Sequence, residues 1–403
     1  MSATTPVRSK LTQKKKSVRD NFLVFGSPLI GEDEIEEVIA TLRGGWIGTG
    51  PRVAKFEAMM REYTGAQCAI AVSSCTAALH LSLLALGIGP GDEVITTPMT
   101  FAATANAIIH AGATPIFVDV NRETMLIEAR TIEAAITSKT KAIIPVHLAG
   151  RPCAMDEITS VARKHGLYVI EDAAHCVEGK YKEAKIGAIA DLTCFSFYVT
   201  KNLTTAEGGM VTTNNPDWAD SIRVLGLHGM NKDAYKRFGA TGYKHYEVVA
   251  PGYKYNMTDI QAALGIHQLR RIEASWIRRS EIWQYYQESF SDLPVHIPTQ
   301  DEPDTRHARH LYTVIAFENE CGKSRDQILD RLTQNKIGAG VHYLALHLQP
   351  YYRSTFGYTE GAYPNAEWIG SGTLSLPLSA KLTDEDAEDV VTAFRSILLD
   401  DEK

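Results

Sequence analysis

The chain has 403 residues, 44% of them hydrophobic and 22% charged, and carries a net charge of −7. This composition belongs to a folded protein with a full core and excludes a collagen-like, disordered or disulfide-scaffold chain. The six cysteines, Cys68, Cys75, Cys153, Cys176, Cys194 and Cys321, form no Cys-x-x-Cys pair and no Cys/His cluster, so zinc-ribbon and thioredoxin readings fall away, no metal is expected, and free cytosolic thiols are.

Residues 1–22 read as a solvated, disordered tail, holding Arg8, Lys10, Lys14, Lys15, Lys16 and Arg19 against the single acid Asp20. The body that remains is acidic, which argues against nucleic-acid partners. No run of 18 apolar residues is free of polar breaks, so no membrane span is expected and the location reads as cytoplasmic. Amphipathic helices are predicted over 32–43 and 52–63. A buried strand over 68–72, a helix from 76 to 86 and a turn at Pro90-Gly91-Asp92 follow. Strands at 93–97, 115–120, 141–146 and 167–171 then alternate with helices at 101–111, 130–137 and 155–165. Strand-like runs recur at 192–197 and 208–213. Such alternation means βαβ units and a mostly parallel central sheet. Helices dominate 258–290, and 297–309 reads as a loop. A smaller α+β pattern closes the chain: strand 311–317, helix 325–335, strand 338–343 and helix 384–399. The expected division is a tail over 1–22, a large domain over 23–285 and a small C-terminal domain over 286–403.

Four segments carry chemistry. Ser73-Ser74-Cys75-Thr76-Ala77-Ala78 lies between a strand and a helix start, where free N–H groups can bind an anion, or where a helix is simply capped. Glu171-Asp172-Ala173-Ala174-His175 follows a hydrophobic strand. A carboxylate there can hold a protonated ring nitrogen, or it can cap a helix. Lys201 sits among Phe195, Ser196, Phe197, Thr200 and Thr204, ahead of Glu207-Gly208-Gly209. A lysine in that setting is expected to be desolvated, which lowers its pKa and makes its amine nucleophilic toward carbonyls. The fourth segment, Gly252-Tyr253-Lys254-Tyr255-Asn256, precedes a helix that Thr258 or Asp259 could cap.

Taken in this order, the anion loop, Asp-x-x-His, Ser-x-x-x-x-Lys with Glu-Gly-Gly, and Gly-Tyr-x-Tyr-Asn resemble the DegT/DnrJ/EryC1/StrS family of pyridoxal-phosphate-dependent nucleotide-sugar aminotransferases. The stretches Gly44-Gly45-Trp46-Ile47, Gly89-Pro90-Gly91-Asp92 and His347-Leu348-Gln349-Pro350 extend the likeness from about Gly26 to the C-terminus. The resemblance implies a fold type I, aspartate-aminotransferase-like architecture whose large domain binds the cofactor, and a homodimer with shared active sites. It implies that Lys201 joins the cofactor, that Asp172 pairs with the pyridine nitrogen and that His175 sits by the ring hydroxyl. Ser196 and the backbone at Thr76 and Ala77 would hold the phosphate, and Phe101 would stack on the ring. Asn256 would reach the phosphate of the other subunit, and Trp46, His342 and Tyr343 would face the substrate. Cys75 stands where relatives carry Gly or Ala. The implied reaction moves the amino group of L-glutamate to a nucleotide-linked keto sugar, a 4-keto sugar first, for an amino sugar of a surface polysaccharide, lipid A or a related glycoconjugate. A sugar 3-dehydratase would carry His at position 201, and a non-catalytic cofactor-binding protein would not need the Asp172/Lys201 pair.

Overall fold

Side chains on the central strands alternate between two apolar layers, and that alternation builds the sheet. In the computed structural model, which describes residues 19–231 and 245–399, strand β1 (Cys68–Val72) sends Ile70 and Val72 to one face and Ala69 and Ala71 to the other. Residues at i and i+2 share a face, so a strand apolar throughout must be covered on both sides. The remaining strands of the large unit are β2 (Glu93–Thr96), β3 (Thr114–Phe117), β4 (Thr140–Ile143), β5 (Tyr168–Asp172), β6 (Lys180–Tyr181), β7 (Ala184–Lys185), β8 (Leu192–Ser196) and β9 (Gly209–Thr213). Seven of these nine form one sheet in the order β1-β9-β8-β5-β4-β2-β3. Only β9 runs against its neighbours, pairing antiparallel with β1 and β8. The strands β6 and β7 form a separate three-stranded sheet with β10 (Thr305–Arg306), inside the segment read from sequence as a loop.

The helices of the large unit include α1 (Glu32–Gly44), α2 (Pro51–Thr64), α3 (Cys75–Ala85) and α4 (Ala102–His110). Helix α3 is buried nearly all round, with Ala77, Ala78, Leu79, Leu81 and Leu83 against Ile70, Ile170 and Val211. The opposite face of the sheet packs Phe195, Phe197 and Met210 on Phe56 and Met60 of α2.

The second unit has its own core around β11 (Tyr312–Ile315) and β12 (Thr373–Leu376), paired antiparallel, with the helix Asp384–Leu399 across them. That core takes in Ile282, Trp283, Tyr286 and Phe290 from the long helix Ile272–Phe290, so the expected change of unit at 285/286 falls inside a helix. Leu23 packs there as well, bridged to Ile337, so the chain from residue 23 starts on the small unit before it enters the large one. The strand expected at 338–343 does not form. Its backbone pairs at single points, Gly338 with Leu23 and Gly340 with Ser375, and then turns toward the large unit. The tail expected over 1–22 lies outside the described residues up to position 18. No helix among the described residues is long and apolar enough to cross a membrane.

Candidate active site

Asp172 ends β5 and Ser196 ends β8, so both stand where neighbouring parallel strands run out, beside the first turn of α3. Ser74 caps that helix: its Oγ accepts the Ala77 N–H at 3.1 Å. This corrects one expectation. The Ala77 N–H is already engaged and Ala77 does not reach the cavity, so the first-turn residues on the cavity wall are Cys75 and Thr76. Strand β9 passes directly behind the turn. A Cβ at Gly209 would lie 2.4 Å from the Ser74 carbonyl carbon, and one at Gly208 would lie 2.1 Å from Thr205 Oγ1. Gly209 is therefore a packing requirement of the anion turn, while Gly208 leaves room for the Thr205 side chain.

Lys201 lies on the loop from β8 to β9, which is closed by its own backbone. Phe197 N–H donates to Gly208 O and Thr205 N–H to Phe197 O, both at 2.9 Å. Burial of the amine lowers the Lys201 pKa to about 8, against the opposing pull of Cys75 and Asp172. Asp172 faces the same space. Its Oδ2 accepts the Thr104 hydroxyl at 2.7 Å and its Oδ1 the Ala174 N–H at 3.2 Å. Because Thr104 spends its proton on the carboxylate, the Thr100 hydroxyl donates to it in turn, at 2.7 Å. Burial raises the Asp172 pKa, and Thr104, Ala174 and Lys201 hold the rise back.

The small unit closes the cavity with His310, His342 and Tyr343. Burial, with Lys201 nearby, lowers His342 to about 4 and pushes His175 and His310 well below the ordinary histidine value. His175 Nδ1 accepts the Ala149 N–H at 3.3 Å, so its proton lies on Nε2, 3.3 Å from the Tyr343 hydroxyl oxygen. Phe101 is 60% exposed, an open aromatic face on the cavity wall, with its ring 5.8 Å from that of Tyr343. The cavity measures about 560 Å³ and gathers Thr76, Phe101, Asp172, His175, Ser196, Lys201, His342 and Tyr343. Among the described residues no cluster of three or more His, Cys, Asp or Glu could hold a metal.

Trp46 and Asn256 are not on this wall. They line a second cavity of about 630 Å³ with Thr49, Arg223 and Lys254. Asn256 bridges to Val72, the last residue of β1, and its Nδ2 donates to Thr49 Oγ1 at 2.6 Å. Tyr255 O accepts the Ser73 N–H at 2.6 Å, so the Gly252–Asn256 segment also braces the anion turn from behind. Thr258 caps the helix that follows, whereas the buried Asp259 caps α2 through the N–H groups of Arg52 and Val53. Sequence reading missed Thr104, His310 and Asn202. The Thr100/Thr104 spacing, one helical turn around Phe101, was the available signal for the first.

A planar ring that carries a basic nitrogen and an anionic arm fits these groups. A buried carboxylate for the nitrogen, an open aromatic face, and a capped helix start with a serine for the anion converge on one lysine. The family model of the DegT/DnrJ/EryC1/StrS aminotransferases matches residues 28–395. The chain belongs to that family. It is a pyridoxal-phosphate-dependent aminotransferase of fold type I, and the residues above fit that cofactor. The chain is 50% identical to the spore coat polysaccharide biosynthesis protein SpsC of Bacillus subtilis, covering 94% of this chain and 98% of that one. The PMP form of Spr1654 from Streptococcus pneumoniae, proposed to be a sugar aminotransferase, matches at a TM-score of 0.87 and 37% identity over 93% of this chain and 98% of the other. Helicobacter pylori PseC, an aminotransferase involved in the biosynthesis of pseudoaminic acid, matches at 0.86 and 28% identity, over 94% and 99%.

Proposed function

We propose that the protein transfers the amino group of L-glutamate to a nucleotide-linked keto sugar, a 4-keto sugar first, in the cytoplasm, to supply an amino sugar for a surface polysaccharide or related glycoconjugate. The observation that carries this reading is the convergence of Lys201, Asp172 and the open face of Phe101 in one cavity. The likeness to SpsC and PseC supports a sugar acceptor. When bound, pyridoxal phosphate supplies an electron sink for the carbon that loses its proton. Asp172, as an anion, keeps the ring-nitrogen proton in place, which that sink needs. Phe101 covers one ring face. Ser196 and the first turn of α3 at Thr76 hold the phosphate, and His175 reaches the ring hydroxyl. The Lys201 amine, with a pKa of about 8, is neutral in a useful fraction near neutrality and takes the proton from the α-carbon of glutamate. His342 and Tyr343 face the sugar.

The same reading makes the protein a homodimer whose sites are shared. Helix α1 exposes Ile35, Ile39 and Leu42 on one face, and Trp46 and Ile47 follow, half exposed. Such a patch next to the cavity of Trp46 and Asn256 suits a second copy of the chain, which would bring those two residues to its partner's cofactor. To test the reading, pyridoxamine-phosphate-loaded enzyme is mixed with UDP-, GDP- and dTDP-linked keto sugars and followed by mass spectrometry over one turnover. An aminated sugar from at least one of them is expected. No amination of any sugar, with rapid amination of simple 2-oxo acids, would replace the sugar substrate.

A further inference from the structure

The buried polar chain behind Lys201 has a direction that hydrogen-bond counting fixes. Glu178 is fully buried, is paired with buried Arg279, and accepts the Asn202 Nδ2–H at 2.9 Å. The same nitrogen donates to Ala308 O at 2.8 Å. Both neighbours can only accept, and an amide has two N–H donors, so both are used. The Asn202 oxygen therefore faces His310, whose Nδ1 is 2.9 Å away. An amide oxygen only accepts, so His310 carries its proton on Nδ1 and Nε2 is a bare lone pair. Nε2 has no partner among the described residues, and the ring lines the Lys201 cavity. His175, with its ring 4.5 Å away, is set the other way round, with its proton on Nε2.

We propose that His310 is a positioning residue whose unprotonated Nε2, unpartnered here on the wall it shares with Lys201, accepts a hydrogen bond from the Lys201 amine during turnover, and that Glu178 and Asn202 serve to lock that tautomer. The amine keeps N–H groups whether neutral or protonated, so the contact persists while it takes up a proton. The opposite tautomer would donate into the amine lone pair, the pair needed as a base. Burial and the neighbouring lysine keep His310 neutral, which preserves the acceptor. The proposal rests on Lys201 being the working base.

Two measurements test it. In protein labelled with ¹⁵N-histidine, the His310 resonances, assigned by their loss in His310→Gln, should show a protonated Nδ1 and an unprotonated Nε2. His310→Asn keeps an N–H near the Nδ1 position but nothing at Nε2, whereas His310→Gln places an amide oxygen near Nε2. His310→Asn should slow the glutamate half-reaction roughly tenfold to a hundredfold, as expected for a lost hydrogen bond to a charged group. Its glutamate affinity should hold within about twofold, and His310→Gln should recover most of the rate. A proton on Nε2, a native rate in His310→Asn, or equal loss in both variants would overturn the proposal. If His310→Asn does not fold, the tautomer in the native protein decides alone. A half-reaction that survives Lys201→Ala would instead remove Lys201 as the working base, and the tautomer result would stand apart from it.

Discussion

A lysine amine held at a pKa of about 8 destabilises the fold that buries it, and the sign can be worked out. The unfolded value is near 10.5, so below pH 8 both states carry the proton and the folded state bears the whole cost, about 3 kcal/mol. Between pH 8 and 10.5 the unfolded chain binds the extra proton, and stability rises with pH. Lys201→Met should therefore raise the melting temperature of cofactor-free protein at pH 7, and the gain should fade toward pH 10.5. Calorimetry of both proteins across that range checks it, and a gain that grows with pH contradicts it. Thr104 acts on the other charged partner. Thr104→Val leaves the shape and removes the hydroxyl from Asp172, so the carboxyl pKa should rise further and cofactor binding should weaken by roughly tenfold or more, measured by equilibrium dialysis. Lys201 and Asp172 were legible in the sequence because each sits in a contiguous motif at a strand end. Thr104 and His310 were not, since each meets its partner only through tertiary packing, Thr104 with Asp172 and His310 with Asn202.

Elements read well where periodicity was strong, and the helix 384–399 is an example. Among the helices that escaped are Pro216–Leu225, Pro350–Phe356 and Pro364–Gly372. Each opens with proline at its first position, where the missing N–H has no intrahelical partner to lose, so a residue taken for a breaker is a starter. The antiparallel course of β9 was equally hidden, because a buried strand reads the same in either direction. Its direction matters, since it brings Gly209 against Ser74. Gly209→Ala should displace the anion turn, lowering cofactor affinity and the melting temperature together, because the added methyl meets backbone that cannot move aside. Unchanged cofactor affinity in a folded Gly209→Ala protein would contradict that account of Gly209.

For the whole molecule, the parallel sheet was legible, and the expected boundary at 285/286 falls within the one helix, Ile272–Phe290, that serves both cores. The proposed sharing of sites between two subunits makes a prediction that no single subunit could meet. Lys201→Ala and Asn256→Asp proteins, each inactive alone, should regain activity when mixed and allowed to exchange subunits. One of the two sites in a mixed dimer then carries neither defect. No recovery, despite exchange shown by mass spectrometry, would place each site within one subunit. The most direct test of the central claim, that this cavity runs aminotransfer through Lys201, is spectroscopic. The cofactor-loaded protein should absorb in the visible, and L-glutamate should bleach that band while one equivalent of 2-oxoglutarate appears per site. Lys201→Ala protein should bind the cofactor yet form no 2-oxoglutarate. Near-normal 2-oxoglutarate formation by the Lys201→Ala protein would contradict the account.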